Sequence, residues 1–268
     1  MHPRLIAIDG FFIPTYGVLV AIAFLTGLSV AVRNARKLAL DPEKATNLAV
    51  YSALAGLLGS KLLMFAFDWR YFAARPAEIF SLSTLQAAGV FQGGLVLGAA
   101  TGLFYMKRAG LPVLPTLDAF APAIALGHAI GRLGCLAAGC CWGTACDRPW
   151  AITYTNPDAT TGVPLGVPLH PAPLYESALL LVLFLWLRRS FRGAHAPGSV
   201  FAQYLIASSL IRFGVEFFRH HEQALPLGLP LSVTQWIALA LAGAGGILWL
   251  RRGGIVPLAP YRANQSAK

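Results

Sequence analysis

The chain has 268 residues, 56% hydrophobic and only 12% charged, with a net charge of +10 and a mean hydropathy of +0.62. A soluble globular domain carries roughly 25% charged residues, so this composition excludes an ordinary water-soluble fold and fits a chain whose apolar surface is covered by lipid. The basic residues sit in short clusters at the ends of apolar runs, a pattern of membrane topology and attraction to anionic lipid; no nucleic-acid motif accompanies them. Crossing about 30 Å of hydrocarbon takes roughly 20 helical residues. Seven stretches qualify in chain order: 12–32, 48–67, 87–106, 117–138, 174–187, 200–218 and 231–250. The fourth is less uniformly apolar at its end, and the fifth is short and extends back toward Pro171.

These stretches predict an all-α, polytopic membrane bundle of about seven transmembrane helices, forming one domain over residues 1–268. No cleavable signal sequence is evident before the first apolar run, which is expected to serve as its own insertion signal. Lysines and arginines set the orientation. Thirteen lie after the first, third, fifth and seventh spans: Arg33, Arg36, Lys37, Lys44, Lys107, Arg108, Arg188, Arg189, Arg192, Arg251, Arg252, Arg262 and Lys268. Five lie on the other side, namely Arg4, Arg70, Arg75, Arg148 and Arg219. The bias predicts an outer N-terminus, a cytoplasmic C-terminus and an outer location for the long Gly-, Pro- and Thr-rich loop 139–171. A loop of that length in a compact protein is functional or disordered.

A charge at the centre of a helix in lipid costs at least about 2.5–3.5 kcal/mol, so intramembrane charges point to function. Here they are Lys61, Asp118, His128, Arg132, Glu176, Arg212 and Glu216, with the uncharged Gln92 beside Gly93 and Gly94. His128 and Arg132 are four residues apart and share a helix face, as do Arg212 and Glu216. One reading of the second pair is an internal salt bridge. The other is that Arg132 and Arg212 line a polar cavity and hold an anion, because the guanidinium fork matches phosphate oxygens. The abundant anion facing such a cavity in a bilayer is the phospholipid head group. Lys61 is expected to snorkel to an interface, and Asp118 to cap its own helix. Two glycine-broken segments, 131–135 and 139–143, mark irregular backbone of the kind that lines cavities. All four cysteines, Cys135, Cys140, Cys141 and Cys146, fall in or beside them. With no C-x-x-C pair and no close histidine pair, no metal site is expected, and a disulfide on the oxidising outer face fits better.

Several segments together resemble the bacterial prolipoprotein diacylglyceryl transferase family over nearly the whole chain. They are Pro14-Thr15-Tyr16-Gly17, the run from Phe91 to Gly98, Gly131-Arg132-Leu133-Gly134-Cys135 followed by Trp142-Gly143, Pro149-Trp150-Ala151, the run from His170 to Glu176, and the run from Arg212 to Arg219. The resemblance implies a multi-pass protein of the bacterial plasma (inner) membrane, needing no cofactor. Its implied activity is transfer of the diacylglyceryl group of phosphatidylglycerol to the lipobox cysteine thiol of preprolipoproteins. It implies that Arg132 and Arg212 bind the phosphate, with Tyr16, Gln92, Gly93, Gly94, Cys135, Gly143 and Glu216 at family positions that shape the substrate site. Tyr175 and Glu176 match the start of a family helix, where a structural role is equally fitting.

The chain departs from the family pattern at chemically important places. Gln92 stands where the family has a histidine proposed as base, and an amide cannot take a proton at neutral pH. Cys135 replaces an asparagine, and Cys140 an acidic residue. His128, one turn before Arg132, is a candidate replacement base, with a helix-packing histidine as the alternative. A non-transferase relative, keeping the lipid-binding bundle and using the cysteines for thiol–disulfide chemistry, is the competing function. A transporter is weaker, since no inverted repeat is evident.

Overall fold

A computed structural model of the chain describes residues 3–8, 11–81, 84, 87, 89–157, 161–220 and 231–252. Arg262 and Lys268, used for orientation, lie outside the described residues. The helices, in chain order, are α1 Thr15–Lys37, α2 Pro42–Phe67, the short α3 Trp69–Ala74, α4 Phe91–Arg108, α5 Val113–Ala138, α6 Ala172–Arg192, α7 Ser199–Glu216 and α8 Val233–Arg251. Each predicted apolar stretch thus holds one long helix, although residues 12–14 of the first are strand. Four of these helices, α1, α2, α5 and α8, are long and apolar enough to cross a membrane by length and composition. The remaining long helices, α4, α6 and α7, are the shorter or more polar ones.

Close contacts divide the chain into two compact units, residues 1–34 with 117–268, and residues 35–116. In the second unit Asp41 starts α2: its Oδ1 accepts from the backbone N–H groups of Glu43 and Lys44 at 2.9 and 3.3 Å, and Pro42 follows at the first helical position. Helices α2 and α4 cross through glycine. A Cβ added at Gly59 would collide with the Gly93 carbonyl, one at Gly93 with the Gly59 carbonyl, and one at Gly94 would stand 2.8 Å from the Gly56 carbonyl oxygen. Gly93 and Gly94 therefore serve helix packing, letting two backbones touch where lipid provides no hydrophobic drive for association. Lys61 Nζ donates to the carbonyls of Thr84 and Ala87 in the α3–α4 connection.

In the first unit a β-hairpin, Arg4–Ile8 with Phe11–Pro14, leads into α1. Helices α1 and α5 also pack through small residues. A Cβ on Gly27 would stand 3.2 Å from the Ala123 carbonyl oxygen, one on Gly127 3.3 Å from that of Ala23, and Asn34 donates to the Ala119 carbonyl at 3.0 Å. Ser177 ties α6 to α5 through the Ala129 carbonyl at 2.8 Å. Asp118 is fully buried and caps a different helix from the one expected: its carboxylate accepts from the Gly198 and Phe201 N–H groups, at 2.5 and 2.8 Å, at the start of α7. The reason is its position. Asp118 lies inside α5, where its own helix needs no cap, but beside the α7 N-terminus, where free N–H groups need an acceptor.

The segment 139–171 is built around two short paired strands, Ile152–Thr153 with Pro168–Leu169. Tyr154, Val163 and Leu169 form its core, with Trp142 and Ile152 packed against them. The segment is sewn to the C-terminal end of α7 by hydrogen bonds from Thr144 N–H to the Phe218 carbonyl at 2.9 Å and from His220 N–H to the Trp142 carbonyl at 3.3 Å.

Candidate functional site

The site is assembled at the C-terminal end of α5. There Gly139 takes a left-handed conformation, φ +75°, and its N–H bonds the Leu136 carbonyl while the Cys140 N–H bonds the Cys135 carbonyl. This is a Schellman stop, which closes α5 and folds the following residues back over its last turn. Arg132, one turn earlier, points its guanidinium into the space so formed.

The centre of the site is Glu176 on α6, with a side chain only 2% exposed. Its Oε1 lies 3.1 Å from Arg132 Nη2 and 3.4 Å from His128 Nε2, and its Oε2 accepts from Arg212 Nη1 at 3.3 Å. The Arg132 contact is an ion pair not aligned as a hydrogen bond, which leaves Oε1 without a hydrogen-bond donor among the described residues. Arg212 also pairs with Glu216 Oε2 at 2.5 Å, and Arg219 donates to the same oxygen at 3.4 Å. The Ser232 hydroxyl, at the start of α8, donates to Glu216 Oε1 at 3.1 Å. The predicted Arg212–Glu216 salt bridge is therefore present, but as one link in a network through several helices. Three guanidiniums, Arg132, Arg212 and Arg219, face two carboxylates, so with neutral histidine the described cluster carries one surplus positive charge.

Arg132 has further partners. Its Nε donates to His128 Nε2 at 3.2 Å, and its Nη1 lies 4.0 Å from Cys135 Sγ and 3.9 Å from Cys141 Sγ. The first bond makes Nε2 of His128 the acceptor nitrogen of the ring. The four cysteines are free thiols. The sulfurs of Cys135, Cys140 and Cys141 lie within 4.8 Å of one another, while Cys146 is buried apart from them in the 139–171 segment. Hydrogen bonds with Cys135 and Cys140, and then the charges of Arg219 and Arg132, hold the Cys141 thiol below its ordinary range. Hydrogen bonds with Cys135 and Cys141 push Cys140 the other way.

Tyr16, at the start of α1, is half-buried against Gly134, where an added Cβ would stand 3.1 Å from its ring, and it is within charge range of Arg132 and the three thiols. Gly143 is where the loop, His170 and the end of α7 meet. A Cβ there would stand 2.5–2.6 Å from His170 Cβ, the His170 carbonyl oxygen and the Phe218 carbonyl oxygen, so only glycine fits. Tyr175 accepts from Trp150 at 2.7 Å and bonds His170 Nδ1 at 3.1 Å, bracing the loop on α6. The structure thus brings together Tyr16, His128, Arg132, Cys135, Arg212 and Glu216, with Gly143 in the loop above. Gln92, Gly93 and Gly94 belong to the other compact unit, where Gln92 is exposed on α4.

Two partners were not assigned to the site from sequence. Glu176 is its hub, although a structural role at a helix start seemed equally fitting. Its signal was present: a lone carboxylate in an apolar helix requires a cationic partner, and two intramembrane arginines were available. Ser232 had no signal of that kind, because a serine before an apolar run reads as a helix cap, which it also is.

The fold and the site together define a helical membrane protein with a buried arginine–carboxylate cluster suited to an anionic group. The sequence profile of prolipoprotein diacylglyceryl transferases matches residues 3–251, and the chain belongs to that family. It is 32% identical, over 92% of its length and 87% of the relative's, to a phosphatidylglycerol–prolipoprotein diacylglyceryl transferase of Synechococcus elongatus. It is 32% identical to one of Clostridium tetani, covering 89% of this chain and 93% of that one. Another, from Methylibium petroleiphilum, is 31% identical over 89% of this chain and 91% of its own.

Proposed function

We propose that this chain transfers the diacylglyceryl group of phosphatidylglycerol to the lipobox cysteine of preprolipoproteins, acting as a single multi-pass unit of the bacterial plasma membrane. All seven long helices cross the bilayer in this reading, with the N-terminus and the 139–171 segment outside. The arginine and lysine bias supports that orientation. Glu176 on α6 and the Arg212–Glu216 pair on α7 are ion-paired, which lowers the cost of carrying them in lipid.

The observation that carries the proposal is the pair of arginines from separate helices, α5 and α7, held on one buried carboxylate in a cluster whose described residues carry one surplus positive charge. A phosphodiester brings one negative charge and the oxygens that guanidinium forks grip. In the reaction the lipobox sulfur attacks the glyceryl carbon bonded to the phosphate oxygen. A C–S bond forms, the C–O bond breaks with its electron pair going to the phosphate, and glycerol phosphate leaves. The phosphate gains negative charge as this happens, and Arg132 and Arg212 stabilise that charge in place. Glu176 orients both guanidiniums. Tyr16, Cys135 and Gly143 shape the cavity. The bond from Arg132 occupies the Nε2 lone pair of His128, which supports a role in bracing Arg132 over that of a base.

The test is expression in cells depleted of their own transferase, with a lipobox substrate followed by its gain of lipid. Conversion that disappears in Arg132→Ala is expected. A chain that inserts normally but never lipidates the substrate would overturn the proposal.

A further inference from the structure

The transfer needs a deprotonated lipobox thiol, and the described cluster offers no free base. His128 Nε2 accepts from Arg132, and Glu176 and Glu216 are both engaged by arginines. Beside Arg132, however, stand three thiols from one short segment. Cys135 lies on the last turn of α5; the Schellman stop at Gly139 returns Cys140 over it. Cys141 then adopts φ +60°, a left-handed conformation uncommon for a residue with a side chain. Their sulfurs converge to within 4.8 Å of one another, all three half-buried. A C-x-x-C spacing is absent because the helix stop, rather than a loop knuckle, makes the convergence.

We propose that Cys135, Cys140 and Cys141 form a zinc site that binds and activates the lipobox thiol. Three protein ligands with an open fourth position is the pattern of catalytic zinc. Zinc–sulfur bonds of about 2.3 Å put sulfurs on one tetrahedral ion about 3.8 Å apart, so the three side chains need to close by about 1 Å at most. Loading releases three thiol protons as three Zn–S bonds form. The lipobox thiol takes the fourth position, loses its proton to solvent and stays nucleophilic as a bound thiolate. Its sulfur then attacks the glyceryl carbon, the C–O bond to phosphate breaks, and the neutral thioether, a weak ligand, leaves the ion. Zinc neither gains nor loses electrons. Arg132 joins the two halves of the site: Nη1 faces Cys135 and Cys141 Sγ, where it offsets the net negative charge of the zinc–thiolate centre, and Nη2 faces Glu176 beside the proposed phosphate position. Nucleophile and leaving group are thereby adjacent to one side chain.

This inference rests on the transferase reading, and the experiment separates the two. The full chain, purified in detergent, is dialysed against zinc or cobalt(II), and bound metal is counted. One ion per chain is expected in the wild type and in Cys146→Ser, and none in Cys140→Ser. With cobalt, intense sulfur-to-metal absorption is expected, and a lipobox peptide with a free thiol should shift the cobalt ligand-field bands while its Cys→Ser version does not. Chelation should abolish transfer and zinc should restore it. Substoichiometric metal, a disulfide among the three cysteines, a spectrum unmoved by the thiol peptide, or full transfer by metal-free protein would each overturn the inference. Metal binding and a peptide response without any lipid transfer would overturn the transferase reading instead.

Discussion

Glu176→Gln tests the hub of the site with minimal change in shape. The carboxylate is 2% exposed, and its arginine partners Arg132 and Arg212 are 18% and 17% exposed, so solvent screens the pairs only partly. At the observed separations of 3.1 and 3.3 Å, each pair is worth about 5 kcal/mol of gross Coulomb energy at an effective dielectric constant of about 20. Desolvation of the carboxylate, several kcal/mol, opposes this, and removal of one partner from a buried pair leaves a net cost of about 3–5 kcal/mol. The amide leaves Arg132 on α5 without its carboxylate, and Arg212 on α7 with Glu216 alone. The assay is thermal unfolding of detergent-purified protein, with and without phosphatidylglycerol. The midpoint of the variant should fall clearly without the lipid, and the lipid should raise it more than in the wild type, because the counter-charge that Arg132 has lost is now supplied by the phosphate. An unchanged midpoint, or a variant that responds to phosphatidylglycerol no more than wild type does, would refute the view that Glu176 holds both arginines at an anion site.

The two roles of His128 have different signatures. If it braces Arg132, His128→Gln keeps an acceptor for the guanidinium and retains most transfer, while His128→Ala loses a charged hydrogen bond of about 1.5–3 kcal/mol and slows transfer roughly tenfold or more. Equal and complete loss in both variants, measured as the initial rate of lipidation, would restore the base. Gly143→Ala should destabilise the loop junction by about 1–3 kcal/mol, since its Cβ meets two carbonyl oxygens and a side chain with nowhere to move. Limited proteolysis should then cut the 139–171 segment faster, and an unchanged cleavage rate would show that the junction relaxes.

Hydropathy alone marked every long helix, because a membrane-spanning or buried helix must be apolar for most of its length and that property is local. The same logic exposed Arg132, Arg212, Glu216 and Glu176, since a charge in an apolar run is anomalous without reference to any neighbour. Pairing was another matter. That Arg132 and Arg212 meet on Glu176 depends on how α5, α6 and α7 pack, and that packing is set by contacts such as Ser177 to the Ala129 carbonyl, between residues 48 positions apart. Asp118 shows the same limit: it read as a cap of its own helix, but the donors it meets belong to a helix start 80 positions away. Gly93 and Gly94 read as part of a motif from sequence, and the α2–α4 crossing adds a packing reason that no local pattern shows. The cysteines are the sharpest case. Their spacing gave no sign of convergence, because sequence rules for ligand sets assume loop knuckles, whereas here a left-handed helix stop and a left-handed Cys141 fold the chain back and bring three sulfurs within 4.8 Å. Sequence determined which groups were out of place in a bilayer; the tertiary structure decided which of them face one another, because ion pairing and thiol convergence act through space and depend on how the chain folds back on itself.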